Sequence, residues 1–284
     1  MNIKEAIRYG IEKLNKNNID EANLKIKMLL SYILGKTKEY FVIHGDESLS
    51  LDDELKFKEG INKLNNNIPI QYVIHKQEFM GYEFYVDENV LIPQPDTEIL
   101  VEEVVKIAKE FIKKHKKGEE IKILDLCTGS GAIGISLSKI LGDNAFVTVS
   151  DISEDIIDIV EINSRKNLAN LGMVSSDLFD NIYGKYDIIV SNPPYIETDV
   201  IKTLSKEVQN EPIIALDGGQ DGLDFYRRIV KDAKKFLNEN GFLALEIGYN
   251  QRESVEKLLK ENNYKNIYSQ KDLGGNDRIV VANI

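Results

Sequence analysis

The first 70 residues of the chain carry apolar positions at helical spacing and contain no convincing strand. Two apolar faces stand out, one made by Ile3, Ile7, Ile11 and Leu14 and one made by Leu24, Met28, Leu29 and Ile33. Gly35 is expected to end the second helix, because glycine readily adopts the left-handed conformation that closes a helix. A further helix is predicted for residues 51–65. Residues 1–70 are therefore predicted to form a small helical domain.

The pattern changes over residues 71–92. Alternating apolar positions from Phe79 to Leu91 predict a β-hairpin with its turn near residues 87–89, and we interpret this segment as a linker. Two prolines follow in the segment 93–98, where Asp96 and Glu98 are candidates for capping a long helix. That helix is predicted to run to about His115.

From residue 121 onward, short apolar runs alternate with amphipathic segments. The predicted strands are 121–126, 145–149, 173–176, 186–191, 242–247, 267–270 and 278–282. The predicted helices are 132–140, 154–170, 223–237 and 253–262. This alternation is typical of a doubly wound α/β domain with a mostly parallel sheet, which we assign to residues 93–284.

Composition narrows the classes of partner. The 284 residues are 42% hydrophobic and 29% charged, as in an ordinary globular protein. The one cysteine, Cys127, excludes an internal disulfide, no apolar stretch could span a bilayer, and we expect a cytoplasmic protein. A net charge of −11 argues against a general nucleic-acid binder. The densest basic patch closes the predicted long helix and consists of Lys113, Lys114, Lys116 and Lys117. The three histidines are scattered, so no metal site is expected.

The tetrapeptide Asn192-Pro193-Pro194-Tyr195 directly follows one predicted strand. Two consecutive prolines remove two backbone donors and fix two φ angles, so the chain leaves the strand stiffly. Open α/β sheets bind ligands at this end of their strands. The Asn192 amide oxygen and the Pro193 carbonyl can converge on one NH2 group, with Tyr195 as a flat face beside it. The motif thus predicts recognition of a planar amide or an exocyclic amine. The alternative is a strand-ending turn with a buried asparagine.

A glycine-rich loop at residues 125–134 follows the first predicted strand and opens a helix. Gly129, Gly131 and Gly134 match the dinucleotide-binding fingerprint, and Asp151 lies at the end of the next strand. An NAD site is therefore a competing interpretation.

The charge of the residues around the glycine loop distinguishes an NAD site from a site for a cationic cofactor. Asp125, Asp151 and Asp177 follow successive strands, and no Lys or Arg lies in the glycine loop. A pyrophosphate disfavours neighbouring carboxylates, whereas S-adenosylmethionine carries a sulfonium and an ammonium and suits an acidic pocket. Leu178 and Phe179, with Asp177, are candidates to frame an adenine, and Asp151 can accept from ribose hydroxyls. The candidate cofactor-binding residues are Asp125, Thr128, Gly129, Gly131, Asp151, Asp177, Leu178 and Asn192.

Together these motifs resemble the glutamine-N5 methyltransferases of peptide chain release factors, the HemK/PrmC family. The resemblance covers nearly the whole chain and rests on the segments 79–86, 91–98, 125–131, 192–195, 211–212, 215–219, 221–223 and 272–278. Its most specific mark is the combination of the tetrapeptide with Pro93-Gln94-Pro95-Asp96-Thr97-Glu98. The chain departs from the family pattern at Gln94, where Arg is usual, and at His75, where Gly is common.

The resemblance implies a Rossmann-like, seven-stranded methyltransferase domain preceded by a helical domain and a hairpin linker. It also implies S-adenosylmethionine as cofactor and the glutamine of a Gly-Gly-Gln loop in release factors as substrate. We expect the helical domain to dock that substrate, and the protein to act as a monomer without membrane or direct nucleic-acid contacts. Asn192, Pro193 and Tyr195 are the expected catalytic residues, and Pro194 joins them in binding substrate. Glu246 and Arg278 are expected to form a structural ion pair.

Three other functions compete with this one. A methyltransferase for the amine of a nucleic-acid base would use the same tetrapeptide on a flipped base. An NAD-dependent oxidoreductase would use the glycine loop, and a non-catalytic scaffold would keep the fold alone.

Overall fold

The computed structural model describes residues 1–114 and 119–284. They divide into two compact units. One consists of Met1–Lys76 with Ser205–Asn210, and the other of Gln77–Leu204 with Glu211–Ile284. The first unit ends at Lys76, whereas the sequence pattern predicts a boundary at residue 70, and it includes a short segment from much later in the chain.

The first unit is helical. Its helices are α1 (Ile3–Lys16), α2 (Ala22–Leu34), α3 (Lys38–Ile43), α4 (Leu51–Asn65) and α5 (Ile70–Ile74). Asn2 and Glu5 form a capping box that satisfies backbone donors at the start of α1. The bounds of α4 are those that the pattern predicts. The short helices α3 and α5 were not predicted, because about one turn of helix leaves no readable periodicity.

The buried face of α2 differs from the predicted one. Leu24 is 40% exposed, whereas Ile26 and Leu30 are fully buried. The reason is that α2 packs against α1, α4 and α5 together, which moves the buried stripe away from Leu24. Gly35 ends the helix with a φ of 61°, as predicted. Lys25 is also buried, and its ammonium pairs with the carboxylate of Glu207 in the later segment of this unit.

The second unit opens with a small antiparallel hairpin of β1 (Gln77–Phe79) and β2 (Tyr82–Phe84). Its turn lies at Met80 and Gly81, whose φ angles are 52° and 76°. Two positive φ angles are what a tight two-residue hairpin turn requires. The predicted turn at residues 87–89 is therefore wrong, although Asp87 does accept a local hydrogen bond from the Asn89 backbone beyond the hairpin.

A short 3-10 turn, Pro95–Thr97, leads directly into the long helix α6 (Glu98–Lys114). Gln94 rather than Asp96 is the N-cap residue of that turn, and Asp96 instead pairs with Arg278. Glu98 accepts a hydrogen bond from the backbone of Met80 at 2.6 Å, so its carboxylate supports the hairpin turn. The predicted helix end at His115 and the basic residues Lys116 and Lys117 lie outside the described residues.

A seven-stranded sheet forms the centre of this unit. Its strands are β3 (Ile121–Leu126), β4 (Ala145–Asp151), β5 (Leu171–Ser175), β6 (Tyr186–Ser191), β7 (Leu237–Glu246), β8 (Lys265–Lys271) and β9 (Asp277–Asn283). The order is β5-β4-β3-β6-β7-β9-β8, and β9 runs antiparallel to both of its neighbours while the other pairs are parallel. The order reverses between β3 and β6, which makes a crevice at their carboxyl ends.

Helices cover the sheet and leave apolar cores on its faces. They are α7 (Ala132–Leu141), α8 (Glu154–Asn167), α9 (Thr198–Ile201), α10 (Ile213–Leu216), α11 (Asp224–Asp232) and α12 (Arg252–Glu261). Ile123 belongs to one core and Leu124 to the other, as alternation along a strand buried on both faces requires. Along residues 1–114 and 119–284, we find no helix with the length and apolarity to cross a bilayer.

Candidate active site

A cleft opens at the carboxyl ends of β3, β4 and β6, at the reversal of strand order. It encloses about 940 Å³, including the part open to solvent. Of the predicted site residues, its wall includes Thr128, Gly129, Asp151, Asp177, Leu178, Asn192 and Pro194. Asp125, Gly131, Pro193 and Tyr195 are not among its lining residues.

The glycine loop is folded around the carboxylate of Asp125. That side chain is fully buried and accepts hydrogen bonds from Thr128 Oγ1 at 2.6 Å and from the Gly134 backbone at 2.9 Å. Burial raises its pKa to about 7, against the effect of these hydrogen bonds. Asp125 therefore stabilises the conformation of the loop through these two hydrogen bonds. Gly131 has a φ of 81° and packs close to Ile135, so its absent side chain serves helix packing.

Asp151 connects the end of β4 to the same loop. One carboxylate oxygen accepts from the Gly129 backbone at 2.9 Å, and the other accepts from the Ile152 backbone at 2.8 Å. Burial raises the pKa of Asp151, and these two backbone donors oppose the shift. Asp151 thus forms part of the cleft wall and also sets the position of the loop.

Strand β5 ends at Ser175, shortly before Asp177 and Leu178, which are both in the wall of the cleft. Asp177 pairs with Arg228 at 2.7 Å on the partly exposed rim. Phe179 does not frame the cleft, which corrects the expectation for it. Its ring is buried and stacks on Phe236 with ring centroids 4.7 Å apart, because the chain turns its side chain into the core.

The charge and shape of the wall test which cofactor the cleft fits. Among its described lining residues there are two carboxylates, Asp151 and Asp177, and neither Lys nor Arg. A side chain at Gly129 would meet nothing within 4 Å, so the loop leaves a small cradle open at that point. A dinucleotide pyrophosphate would lack cationic partners here, whereas a ligand with a sulfonium and an ammonium fits the acidic wall. No group of His, Cys, Asp and Glu within the described parts of the chain could hold a metal ion.

Asn192 stands at the tip of the buried strand β6. Its Nδ2 donates to Thr97 Oγ1 at 3.3 Å, which leaves Oδ1 on the other side of the amide. The strand below it is tied to β3, because Ser191 Oγ donates to the Leu126 carbonyl at 2.8 Å. Asn192 and Pro194 reach the cleft, so the tip can present polar groups to a ligand there.

The backbone after the tip is tightly held. Gln251 donates to the Tyr195 carbonyl at 2.8 Å, and a Cβ at Gly218 would lie only 2.7 Å from Tyr195 Cα. Position 218 therefore requires glycine, because a side chain there would collide with the backbone of Tyr195. Burial, with the carboxylate of Glu246 nearby, raises the pKa of the Tyr195 phenol, so it stays protonated.

Glu246 and Arg278, which the sequence suggested as an ion pair, belong to a polar cluster whose burial was not predicted. Glu246, at the end of β7, is 2% exposed, and its Oε2 atom is buried without a hydrogen-bond partner. Burial raises its pKa to about 7, while the nearby Thr97 hydroxyl and the charge of Arg278 oppose that shift. Arg278 pairs with Asp96 at 3.0 Å and with Asp272 at 2.9 Å, which corrects the expected ion pair with Glu246.

Gln94 and Cys127 also line the cleft, and Glu211 is bonded to the segment that precedes Gln94. Gln94, where the family usually has Arg, lines the wall and donates to the Ile92 carbonyl at 3.0 Å. Glu211 accepts from the Ile92 backbone at 3.0 Å and so anchors the same segment. Cys127 lines the cleft in a half-buried position, and burial raises the pKa of its thiol, which is consistent with an unreactive side chain.

Comparison with known proteins assigns the family. The profile of the methyltransferase small domain matches residues 100–209, and that of the PrmC N-terminal domain matches residues 5–74. The release factor glutamine methyltransferase of Clostridium acetobutylicum is 39% identical over 99% of this chain and 98% of its own length. A second release factor glutamine methyltransferase, from Fusobacterium nucleatum, is 39% identical over 98% of this chain and 78% of its own length.

Solved structures give the same fold. The T. thermophilus 16S rRNA N2 G1207 methyltransferase, solved with AdoMet and guanosine, has a TM-score of 0.52 at 18% identity, covering 73% of this chain and 49% of that one. That likeness shows the fold alone. Since the relative from C. acetobutylicum matches at 39% identity from end to end, the chain belongs to the family of release factor glutamine methyltransferases.

Proposed function

We propose that this protein transfers a methyl group from S-adenosylmethionine to the side-chain amide nitrogen of the glutamine in the Gly-Gly-Gln motif of peptide chain release factors. The observation that carries the proposal is the position of Asn192. It stands at a rigid strand tip in the wall of an acidic cleft, in a chain that shares 39% identity over its length with an enzyme of this name.

S-adenosylmethionine, when bound, supplies a methyl group activated by the positive charge on its sulfur. The glycine loop would hold its amino-acid end near Thr128 and Gly129, and Asp151 would accept from its ribose hydroxyls. Asp177 and Leu178 would contact its adenine. The acidic wall favours this ligand because the carboxylates of Asp151 and Asp177 give the cleft a negative potential, which suits a cationic ligand. Asp125 and Gly131 would serve the same site indirectly, by shaping the loop.

Asn192 and Pro193 would provide the acceptors for the substrate. A carboxamide nitrogen is a poor nucleophile, since its lone pair is delocalised into the carbonyl group. If Asn192 Oδ1 and the Pro193 carbonyl accept the two amide hydrogens, the nitrogen is oriented and its partly positive form is stabilised as the bond develops. Pro194 would form the adjoining wall, and Tyr195 would support the amide plane from behind.

The organisation of the chain supports a separate role for each of its three segments. Residues 1–70 would form the docking domain for the release factor, residues 71–92 the linker with its hairpin, and residues 93–284 the methyltransferase domain. We propose that the protein works in the cytoplasm as a monomer and does not bind nucleic acid directly. The net charge of −11 supports the last point.

One assay tests the proposed function directly. Purified protein is incubated with S-adenosylmethionine labelled in the methyl group and with a purified release factor, either intact or with its Gly-Gly-Gln glutamine replaced by alanine. Label should enter the intact release factor and not the variant. Equal labelling of both, or labelling of DNA or RNA alone in parallel reactions, would assign the activity to another acceptor.

A further inference from the structure

The backbone that follows Asn192 lacks two of the groups that usually hold a chain in place. Pro193 and Pro194 have no N–H, so two consecutive residues cannot donate backbone hydrogen bonds. The proposed function uses the Pro193 carbonyl as an acceptor, and its direction is fixed only if the chain is held on both sides of it. Before the tip, the Ser191 hydroxyl holds the chain by donating to a carbonyl of β3. A second group has to hold the chain after the tip.

Gln251 holds the chain on that side. It directly precedes α12 and is only 7% exposed. Its Nε2 donates to the Tyr195 carbonyl at 2.8 Å and to the Gly222 carbonyl at 3.2 Å. Its Oε1 accepts from the Gly248 backbone at 2.9 Å. One buried side-chain amide therefore joins the end of the tetrapeptide to two loops that are distant from it along the chain.

These three backbone groups determine the orientation of the Gln251 amide. A carbonyl only accepts hydrogen bonds, and a backbone N–H only donates them. In the reversed orientation, the oxygen would face the carbonyls of Tyr195 and Gly222, and the NH2 group would face the N–H of Gly248. The amide therefore has one orientation in which its hydrogen bonds are satisfied, and main-chain atoms set it.

The backbone at Gly222 leaves room for this amide. Gly222 has a φ of 69°, and a Cβ at this position would lie 2.4 Å from the Tyr195 carbonyl oxygen and 2.5 Å from Gln251 Nε2. Glycine is thus required there both for the backbone conformation and for the close approach. A side chain at position 222 would displace the hydrogen bond between Gln251 and Tyr195.

We propose that Gln251 is a positioning residue, which fixes the Tyr195 carbonyl and through it the peptide that carries the Pro193 acceptor. The proposal rests on the proposed function, since that function gives the Pro193 carbonyl its role. Gln251 is not among the described residues that line the cleft, so it acts through the backbone and does not touch the reacting atoms.

Gln251→Met tests this role, because methionine has a similar length and shape but offers neither the NH2 donor nor the oxygen acceptor. We expect kcat for a release factor to fall by about tenfold, the effect of losing one hydrogen bond. The affinity for S-adenosylmethionine, measured by calorimetry, should change by less than about twofold, since Asp125 and Asp151 hold the glycine loop separately. The melting temperature shows whether the variant is folded. Wild-type kcat in folded Gln251→Met, or an equal loss of kcat and cofactor affinity, would overturn the proposal.

Gln251→Glu gives a readout that a loss of packing would not produce. One carboxylate oxygen still accepts from Gly248, but the other faces the carbonyls of Tyr195 and Gly222 and repels them when it is charged. A protonated carboxyl instead donates in place of the NH2 group. Because burial raises the pKa of a carboxyl, kcat of the variant relative to the wild type should fall as the pH rises from about 5.5 to about 8.5. The Tyr226 phenol, 3.5 Å from Gln251 Oε1, stays protonated over this range, since burial raises its pKa.

Gln220→Glu is the matched control, since Gln220 is an exposed glutamine in the same loop as Gly222. Its kcat relative to the wild type should stay constant over this range of pH. A constant ratio in Gln251→Glu, or the same decline in Gln220→Glu, would contradict the proposal.

The hydrogen bonds of Gln251 can also be measured without turnover. In protein labelled with ¹⁵N, its side-chain NH2 hydrogens should exchange with water much more slowly than those of Gln220, because they are bonded and buried. Equally fast exchange would show that the amide is not held, and would sink the positioning role. A wild-type enzyme that failed to methylate a release factor would overturn the proposed function instead, and the exchange measurement would still decide whether Gln251 holds Tyr195.

Discussion

The glycine loop and the tip around Asn192 form neighbouring parts of one cleft, and they are held by contacts of different reach along the chain. Asp125 lies only 3 residues from its partner Thr128 and 9 from its partner Gly134. By contrast, Asn192 is bonded to Thr97, 95 residues away. Similarly, the backbone just beyond the tip is bonded to Gln251, which lies 56 residues from Tyr195.

The two parts also differ in the groups that make these contacts. Backbone N–H groups of Gly129 and Gly134 donate to carboxylates at the glycine loop, so its geometry depends on a short stretch of main chain and on Asp125 and Asp151. The tip depends on the side chains of Thr97 and Gln251, which come from two other segments. Substitutions far from the tetrapeptide should therefore disturb the tip, while the loop should respond mainly to changes in its own two aspartates.

Asn192→Ala gives the largest expected effect and tests the role of the tip. Loss of the side-chain acceptor should lower kcat by about 100- to 1000-fold, or roughly 2.7–4 kcal/mol, by analogy with the removal of one oxyanion-hole donor. The affinity for S-adenosylmethionine should change far less than kcat, because the glycine loop is held by Asp125 and Asp151 without Asn192. Labelled methyl transfer to a release factor measures the first quantity and calorimetry the second.

Asn170→Ala is the matched control, since Asn170 is an exposed asparagine of the same unit. It should leave both quantities unchanged. Near-normal turnover in Asn192→Ala with intact cofactor affinity would remove Asn192 from the proposed mechanism and, with it, the contrast between tip and loop.

The separation along the chain between a residue and its bonding partners also explains which features could be predicted from the sequence. The bounds of β3 and β6 match the prediction, because strands buried on both faces read as continuous apolar runs. The glycine loop is equally readable, since its function depends on residues a few positions apart. The burial of Glu246 has no comparable local signal, because it depends on how distant segments pack around the end of β7.

Local signals also misled the prediction where a stronger feature was nearby. Residues 87–89 contain turn-forming side chains, yet the hairpin turns at Met80 and Gly81, where only Gly81 signals a turn. Methionine at positive φ is rare, so no propensity argument favours it there. His75 has a φ of 51°, which lies in the left-handed region that glycine adopts most readily, so the glycine common in the family fits this backbone position without the strain that a side chain adds.

The raised pKa of Glu246 also predicts how the free energy of unfolding depends on pH. We expect this effect to be intermediate in size between those of the two substitutions. Its pKa of about 7 in the folded protein exceeds its ordinary value of 4.5, so the folded state binds the proton more tightly than the unfolded state. The resulting stabilisation is present below pH 4.5 and is lost as the pH rises through about 7. This interval corresponds to about 3 kcal/mol, at about 1.4 kcal/mol per unit of pKa.

Denaturant unfolding at several pH values measures this contribution. Glu246→Gln should flatten the decline in the free energy of unfolding between pH 5 and pH 7.5, relative to the wild type. Glu239→Gln, an exposed substitution on the same strand β7, should leave the slope unchanged. Parallel curves for the wild type and Glu246→Gln would show that the carboxyl titrates in its ordinary range.

Asp151→Ala gives the smallest expected effect and tests the loop side of the comparison. The substitution removes the acceptor for the backbone of Gly129 and the proposed acceptor for the ribose hydroxyls. Hydrogen bonds to charged groups contribute about 1.5–3 kcal/mol, so the affinity for S-adenosylmethionine should fall by roughly 10- to 150-fold. At saturating cofactor, kcat should change much less than in Asn192→Ala, because the tip stays in place.

Asp158→Ala, an equal change of charge at an exposed position of α8, should bind the cofactor as the wild type does. Unchanged calorimetric affinity in Asp151→Ala would take this carboxylate out of the cofactor site, whereas a fall in kcat as large as that of Asn192→Ala would mean that loop and tip are one coupled structure.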